Sequence, residues 1–424
     1  MPQYRQDVQT EKHTQSFSLS TNYTATQSNL SIVTNPGRHK SIVVTDLIAS
    51  AGAAGYLTLE QDTPVQQTVI TQRLNLAING LISSHYSNGL RLTPNTDLGL
   101  NASTDDFSLS LEGYIENVVT FGYISGGGIS GYYKALIQKF SFVANSNAVN
   151  VGDLTLARGQ AAGQSSTISG YTSGGQDFGV FWGVDRIDKF SFSSDGDATD
   201  VGDLTVARGS LAGQSSSTHG YSAGGINYPS GSPITKYATI DKFSFTNDGN
   251  ATSVGDLSGK RILLCGQSST SHGYTSGGAD DRDVKKTTID KFSFSSDGDA
   301  TEVGNLTDAV TKMAGNSSPT HGYSSGGQTD SFRQWAQIEN FSFASDGNAT
   351  SVGELTLARL YLAGTSSLTD GFVAGGYIDN TAPVEDVEGV NTIDKFSFAS
   401  GGKSVDSGDL VTASYMYSAA GQQS

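Results

Sequence analysis

A unit of roughly fifty residues occurs six times in succession over the last three quarters of the chain. Each copy opens with Gly-(Tyr/Phe)-x-x-Gly-Gly and continues with Ile-x-x-Phe-Ser-Phe, Val-Gly-Asp-Leu and Ala-Gly-Gln-Ser-Ser, with small departures between copies. The opening glycines are Gly122, Gly170, Gly220, Gly273, Gly322 and Gly371. Because a unit of this size cannot bury both of its faces alone, the copies are expected to stack on one another.

The spacing inside the unit is fixed except at one place. Eight residues separate the second phenylalanine from the Val-Gly-Asp-Leu position in all six copies, and the step from that leucine to the next opening glycine is always 16. Between the glycine pair and the isoleucine, the copies hold 9, 11, 14, 10, 10 and 16 residues. One family of loops is therefore free to vary in length, and the remaining connections are not.

Each copy is interpreted as four short antiparallel strands. Ala-Gly-Gln-Ser-Ser is the small-residue strand A, Gly-Tyr-x-x-Gly-Gly is strand B, Ile-x-x-Phe-Ser-Phe alternates as strand C, and Val-Gly-Asp-Leu ends strand D. Ser-Asp-Gly forms the C to D hairpin, because Asp-Gly readily adopts positive φ. Radial stacking of six such sheets predicts an all-β fold with a six-bladed β-propeller over residues 117–424.

The ends of the repeat array predict how the ring closes. The first copy begins at strand B without a strand A before it, and residues 415–424 form a strand A with nothing after it. The C-terminal strand is therefore expected to complete the first blade, which removes an open sheet edge. The phenylalanine pairs are expected to pack between blades.

These units resemble the kelch repeat. The resemblance rests on the glycine pair that ends strand B, on the variable loop after it and on the Ala-Arg that precedes strand A at Arg158, Arg208 and Arg359. The tryptophan usual on strand D of kelch repeats is absent, and valines such as Val151 and Val201 stand near its place. The resemblance implies the architecture of the last 300 or so residues, and it does not imply a partner.

Composition and charge exclude several functional classes. The chain has 52 glycines and 8 prolines, and its 25 Lys and Arg against 41 Asp and Glu give a net charge of -16. An acidic surface repels phosphate backbones and anionic lipid, so we expect neither nucleic acid nor membrane insertion. The polar N-terminal residues contain no apolar stretch, which predicts a protein without a signal peptide that is assembled in a cytoplasm.

The residues before the repeats form a separate region. Residues 1–15 are predicted to be an N-terminal arm, and residues 16–116 contain short alternating runs between Gly, Asn, Asp and Pro turns. Six to eight such strands in about a hundred residues are typical of a β-sandwich or jelly roll, here for attachment or oligomerisation. The segments 90–100 and 107–114 resemble small jelly-roll domains of tailed-phage virion proteins.

Three sequence patterns resemble catalytic or metal-binding sites but are better explained by structural roles. Cys265, the one cysteine, occupies a strand A position held by alanine in other copies, which disfavours a galactose-oxidase-like copper site. Equivalent positions on neighbouring blades lie too far apart for shared metal ligation by His219, His272 and His321. An acidic run lacks the full calcium-loop pattern and is interpreted as turn chemistry; its members are Asp195, Asp197, Asp200 and Asp203. We therefore predict no catalytic residue, no metal and no cofactor.

The variable loops carry a set of aromatic residues. They are Tyr132, Tyr133, Phe178, Trp182, Tyr228, Phe332, Trp335 and Tyr377. Because the B to C loops and the D to A connections emerge at the same end of an antiparallel blade, these side chains converge on one rim. An exposed aromatic rim suits glycan stacking or protein capture. The alternative is that these aromatic side chains only cap the blade ends.

A second candidate surface lies at the mouth of the central channel. The polar residues of strand A there are Gln164, Gln214, Gln267, Asn316 and Thr365. Mutual hydrogen bonding near the axis is their expected role.

These observations favour a phage virion protein, either a tail fibre or a head decoration. Residues 1–116 would bind other virion proteins, with a homotrimer as the expected assembly, and the propeller would recognise a host surface glycan or envelope protein. The alternative is an intracellular kelch-type protein-binding scaffold, and an oxidase or glycan-processing enzyme is the least favoured interpretation.

Overall fold

The structure is a computed structural model that divides into two compact units, Met1–Val119 and Thr120–Ser424. It describes the backbone of nine strands within residues 14–117, and then residues 121–129, 132–177, 183–229, 233–330, 333–378, 388–414 and 420–423. All regular elements among these residues are β-strands.

The first unit contains two antiparallel sheets. Its strands are β1 (Thr14–Tyr23), β2 (Gln27–Val33), β3 (Lys40–Ala51), β4 (Gly55–Asp62), β5 (Gln67–Val69), β6 (Leu74–Leu76), β7 (Leu81–Arg91), β8 (Asp97–Ala102) and β9 (Phe107–Asn117). One sheet has the order β1-β9-β3-β7, and the other has the order β2-β8-β4-β5 with β6 also paired to β4. Consecutive strands thus alternate between the two sheets over most of the unit.

The second unit contains the repeats as short strands. In chain order they are β10 (Phe121–Ser125), β11 (Gly128–Ile129), β12 (Tyr132–Tyr133), β13 (Leu136–Ser141), β14 (Val149–Asp153), β15 (Ala162–Ser165), β16 (Ser169–Ser173), β17 (Arg186–Ser191), β18 (Thr199–Asp203), β19 (Ala212–Ser215), β20 (His219–Ala223), β21 (Ile226–Asn227), β22 (Thr235–Lys236), β23 (Thr239–Ser244), β24 (Thr252–Asp256), β25 (Cys265–Ser268), β26 (His272–Ser276), β27 (Thr288–Ser293), β28 (Thr301–Asn305), β29 (Val310–Thr311), β30 (Ala314–Ser317), β31 (His321–Thr329), β32 (Gln334–Ser342), β33 (Thr350–Glu354), β34 (Ala363–Ser366), β35 (Asp370–Ala374), β36 (Tyr377–Ile378), β37 (Glu388–Ser397), β38 (Gly402–Lys403), β39 (Val405–Ser414) and β40 (Ala420–Gln423).

These strands form the six blades of a β-propeller, as the repeat predicts. From the axis outward, as strands A, B, C and D, the blades are β40-β10-β13-β14, β15-β16-β17-β18, β19-β20-β23-β24, β25-β26-β27-β28, β30-β31-β32-β33 and β34-β35-β37-β39. Each strand A contacts the strands A of both neighbouring blades, and β40 lies between β34 and β15. The six innermost strands therefore form a closed ring.

The core lies at the seams between blades, where the predicted packing of the phenylalanine pairs is confirmed. The Tyr171 ring on strand B stacks on Phe245 of the next blade with centroids 4.7 Å apart. The same stacking joins the last blade to the first, where the Phe372 and Phe142 centroids lie 4.6 Å apart. The strand B glycine makes room for this layer, since a Cβ on Gly170 would lie 2.4 Å from Phe190 of the same blade.

The C-terminal strand completes the first blade. β40 pairs antiparallel with β10, and Gly122 lies opposite Gln423. At the outer edge, the Asp409 backbone N–H donates to Asn147 Oδ1 of the first blade over 3.0 Å, as the Asp153 N–H does to Asp197 in the next seam. The first and last blades are thus joined at both the inner and the outer strands.

The acidic run joins neighbouring blades. The Lys139 ammonium lies 2.9 Å from Asp195 of the next blade, and equivalent pairs join Lys189 to Asp248 and Lys242 to Asp297. These carboxylates accept bonds across a seam, so the structure gives them a role between blades as well as in their turns.

The Ala-Arg element places an arginine inside the next blade. The guanidinium of Arg208 lies 3.0 Å from Asp241 on strand C, and both side chains are fully buried. Asp241 also accepts bonds from the Thr205 backbone N–H at 2.9 Å and hydroxyl at 2.7 Å at the end of the preceding blade. Because a buried charge must be paired, this arrangement fixes the orientation of the third blade to the second.

Candidate ligand-binding face

One end of the propeller, here called the loop face, is formed by the B to C loops and the D to A connections. Short bridges join these two segments in the second, third, fourth and sixth blades, as between Gly159 and Gln176 and between Leu360 and Tyr377. The glycine pair directs the chain into the loop. Both members have positive φ, such as 63° at Gly174 and 112° at Gly175, and the Gly175 N–H donates to the Arg208 carbonyl of the next blade at 2.9 Å.

The aromatic residues predicted to form an exposed rim differ in their exposure. Tyr228 is 37% exposed, whereas Tyr133 is only 8% exposed and belongs to the core. Tyr377 on β36 and Trp335 on β32 are partly buried. Only the backbone of Tyr132 is described, and three further predicted residues lie outside the described residues: Phe178, Trp182 and Phe332.

Trp335 contributes mainly to packing. Its ring lies against the buried cluster that contains Cys265, Tyr274 and Met313 at the seam between the fourth and fifth blades. Its indole nitrogen is buried without an acceptor among the described residues. Capping of a blade end, the alternative role considered for these aromatics, accounts for Trp335.

A set of D to A residues meets at the loop-face end of the axis. Five residues immediately before strand A have positive φ although none is glycine: Gln160 (54°), Ser210 (58°), Leu263 (57°), Lys312 (63°) and Tyr361 (58°). Each N–H from Ser210 to Tyr361 donates to the carbonyl of the preceding member at 2.8 to 3.0 Å. These five residues, here called the axial arc, form a hydrogen-bonded backbone chain around the axis.

The side chains of the axial arc differ in chemistry and exposure. Ser210 donates to Gln160, and both are 6% exposed. Leu263 packs on the small apolar cluster of neighbouring D to A and B to C residues. The Lys312 ammonium lies 4.7 Å from the Tyr361 ring centroid and donates to Gln328 Oε1 at 2.9 Å.

Tyr361 connects the axial arc to the B to C loops. Its ring centroid lies 6.4 Å from that of Tyr377, with an interplanar angle of 33°. The arc was not singled out in the sequence. The sequence nevertheless contains a signal for the arc. The position two residues after the Ala-Arg arginine differs between copies whose neighbouring positions repeat, and it holds Gln160, Ser210 and Tyr361.

The strand A amides, the second predicted surface, serve the blade seams. Gln164 Nε2 donates to the Tyr221 carbonyl at 2.9 Å, and Asn316 Nδ2 donates to the Phe372 carbonyl at 3.0 Å. Both acceptors belong to strand B of the next blade. Asn316 Nδ2 also donates to the carbonyl of Thr365, the next member of the set, at 2.7 Å, so the expected mutual bonding is confirmed for this pair, whereas the Gln164 amide reaches a neighbouring strand B.

The loops of the third, fourth and fifth blades brace one another. Lys236 Nζ lies 2.6 Å from Asp283 Oδ1 and donates to the Asp280 carbonyl at 2.9 Å. The Lys286 ammonium, 2.8 Å from Asp280, together with backbone N–H donors lowers the pKa of Asp280 to about 2. Lys285 donates to the Thr329 carbonyl in the next loop, and burial lowers its pKa. These bonds hold three neighbouring loops in fixed positions.

The histidines and the cysteine lie away from the loop face or within the core. His219, His272 and His321 begin strand B at the opposite end of their blades, and the Nδ1 of His219 lies 2.8 Å from the Thr218 hydroxyl. Burial lowers the pKa of His219 and raises the pKa of the Cys265 thiol. Across the described residues, no group of three His, Cys, Asp or Glu side chains is arranged to hold a metal.

Comparison with known proteins provides no family for this chain. A scan against protein-family models finds no match, and a search of curated proteins finds no relative. Where the structure describes the chain, it contains no helix of the length and hydropathy needed to cross a membrane. The functional assignment therefore rests on the geometry of the loop face.

Proposed function

We propose that the chain is a surface protein of a tailed-phage virion, in which the propeller presents its loop face to a host surface glycan or envelope protein. The observation that carries this proposal is the restriction of length variation to the loops of one face, on a ring whose seams repeat the same bonds. Surfaces that bind partners vary where the scaffold beneath them is constant.

The strand order of the first unit supports the proposal. In a jelly roll, most successive strands alternate between two sheets, and the orders β1-β9-β3-β7 and β2-β8-β4-β5, the second with β6 also paired to β4, are consistent with this arrangement. Jelly rolls are common in virion proteins, so residues 1–116 would bind other virion proteins and hold the chain as a homotrimer. The kelch-like glycine pair and variable loops support a kelch-like assignment for the propeller.

The first test is the oligomeric state. The full chain, measured by size-exclusion chromatography with light scattering, is expected to elute as a stable trimer. A monomer would favour the second candidate, an intracellular kelch-type protein-binding scaffold, which the glycine pair and the Ala-Arg element support equally well.

The second test is binding to cells. The fluorescently labelled full chain is expected to bind a subset of a panel of bacterial strains, and Tyr228→Ala on the loop face should weaken that binding without lowering Tm, because Tyr228 is 37% exposed. Leu368→Ala is the matched control, since Leu368 is 76% exposed in an A to B turn at the opposite end of its blade. Failure to bind any strain, or equal loss in both variants, would contradict the proposal.

A further inference from the structure

The axial arc holds side chains where glycine would be less strained. An L-residue with φ near +60° is disfavoured because its Cβ approaches the following carbonyl oxygen. Among the described residues, 19 glycines have positive φ, and they include both members of the glycine pair in every blade. The arc positions have φ from 54° to 63° and contain no glycine. Glycine would therefore relieve backbone strain at each of the five positions.

The five arc side chains also differ from one another in chemistry. The residues around them repeat between copies, as in Arg158, Arg208 and Arg359 before the arc and the alanines of strand A after it. The arc positions hold an amide, a hydroxyl, an isobutyl group, an ammonium and a phenol. Different groups at equivalent positions suit contact with an asymmetric ligand, which meets a different group on each blade.

We infer that Lys312 and Tyr361 of the axial arc, together with Tyr377, form a binding site for a terminal sugar of a saccharide. This inference deepens the proposed function and rests on it. The Tyr361 and Tyr377 rings contact each other with centroids 6.4 Å apart, and both side chains are only partly buried, so together they present apolar surface to the C–H groups of a sugar. The Lys312 ammonium, fixed over Tyr361 and bonded to Gln328, provides a polar donor beside these rings. Apolar walls with a few oriented polar groups are typical of sites for small ligands.

The test uses glycine substitutions, which remove the arc side chains and relieve their strain together. Lys312→Gly and Tyr361→Gly, each in the full chain, are expected to leave Tm unchanged or to raise it, because glycine adopts positive φ freely. On an array of defined bacterial surface oligosaccharides, both variants are expected to bind the saccharide selected by the unsubstituted protein at least tenfold more weakly.

Leu368→Gly is the matched control. Leu368 is 76% exposed in an A to B turn at the opposite end of its blade, so its substitution should leave saccharide binding unchanged. Unchanged binding in Lys312→Gly and Tyr361→Gly would overturn the inference, and so would a lower Tm in both, since the side chains would then serve packing. Binding to cells without binding to any saccharide would overturn the inference and leave the proposed function standing.

Discussion

At the scale of single residues, the buried carboxylate on strand C has two environments. In the sixth blade, Asp394 is paired with Arg359 at 3.2 Å, and both side chains are fully buried. In the fifth blade, Glu339 takes the place of the aspartate and Val310 takes the place of the arginine. Glu339 is 2% exposed and accepts hydrogen bonds from Thr307. The carboxyl of Glu339 thus faces neutral hydrogen-bond donors, whereas the carboxyl of Asp394 faces the Arg359 cation.

This difference predicts a pH-dependent stability. Burial, opposed by the Thr307 N–H and assisted by Asp308, raises the pKa of Glu339 to about 7. A carboxyl whose pKa is raised by folding favours the folded state below its unfolded pKa, and this contribution is lost as the pH rises through the folded pKa. The free energy of unfolding should therefore fall by about 3 kcal/mol between pH 4.5 and pH 8.

Glu339→Gln, which keeps the shape of the protonated side chain, should remove that part of the pH dependence and be the more stable protein at pH 8. Urea denaturation at a series of pH values measures both quantities. A variant with the same pH profile as the unsubstituted protein would show that Glu339 is charged throughout this range at no cost to folding.

At the scale of elements, strand A is constrained by its central glycine. A Cβ added to Gly213 would lie 2.3 Å from the Gly163 carbonyl oxygen of the neighbouring blade, and the same approach recurs from Gly266 to Gly213. Since the obstructing atom belongs to the backbone, the strands themselves would have to move apart. The small residues of strand A are therefore required by the radius of the ring.

Gly213→Ala should lower the free energy of unfolding by about 3 kcal/mol, because the methyl group forces two innermost strands apart. Gly259→Ala is the matched control, since a Cβ at Gly259 would meet nothing within 4 Å. Thermal and urea denaturation of both variants would make the comparison. Equal stability of the two variants would show that the inner ring can expand without cost.

The strands of the blades could be predicted because each carries its own pattern. The small-residue strand A, the alternating strand C and the Asp-Gly hairpin all specify local structure. The partners across a seam could not be predicted in this way. Gln164 bonds to Tyr221 because residues about fifty positions apart in sequence meet only when the ring has formed. The axial arc is invisible to propensity for the same reason, since positive φ at Leu263 or Tyr361 is imposed by closure of the ring.

At the scale of the whole molecule, the ring depends on its last strand. β40 supplies strand A of the first blade and contacts the innermost strands on both sides. Removal of residues 420–424 would leave β10 with an unpaired edge, which templates association with other chains. The truncated protein should therefore have a lower Tm and form aggregates, as measured by differential scanning fluorimetry and light scattering.

A synthetic peptide of residues 415–424 provides the control for this truncation. Added in excess, it should pair with β10 and restore the Tm, because an exposed sheet edge accepts an added strand. A truncated protein that stays monomeric and equally stable would show that the ring closes without β40.

The seams described above are unequal, and this has a mechanical consequence. Lys–Asp bridges join the first five blades in sequence, and buried Arg–Asp pairs lie in the second, third, fourth and sixth blades. Within the described residues, the seam between the sixth and first blades has neither kind of ion pair. A pulling force on the ring should therefore part that seam first, while the other five seams hold the blades together.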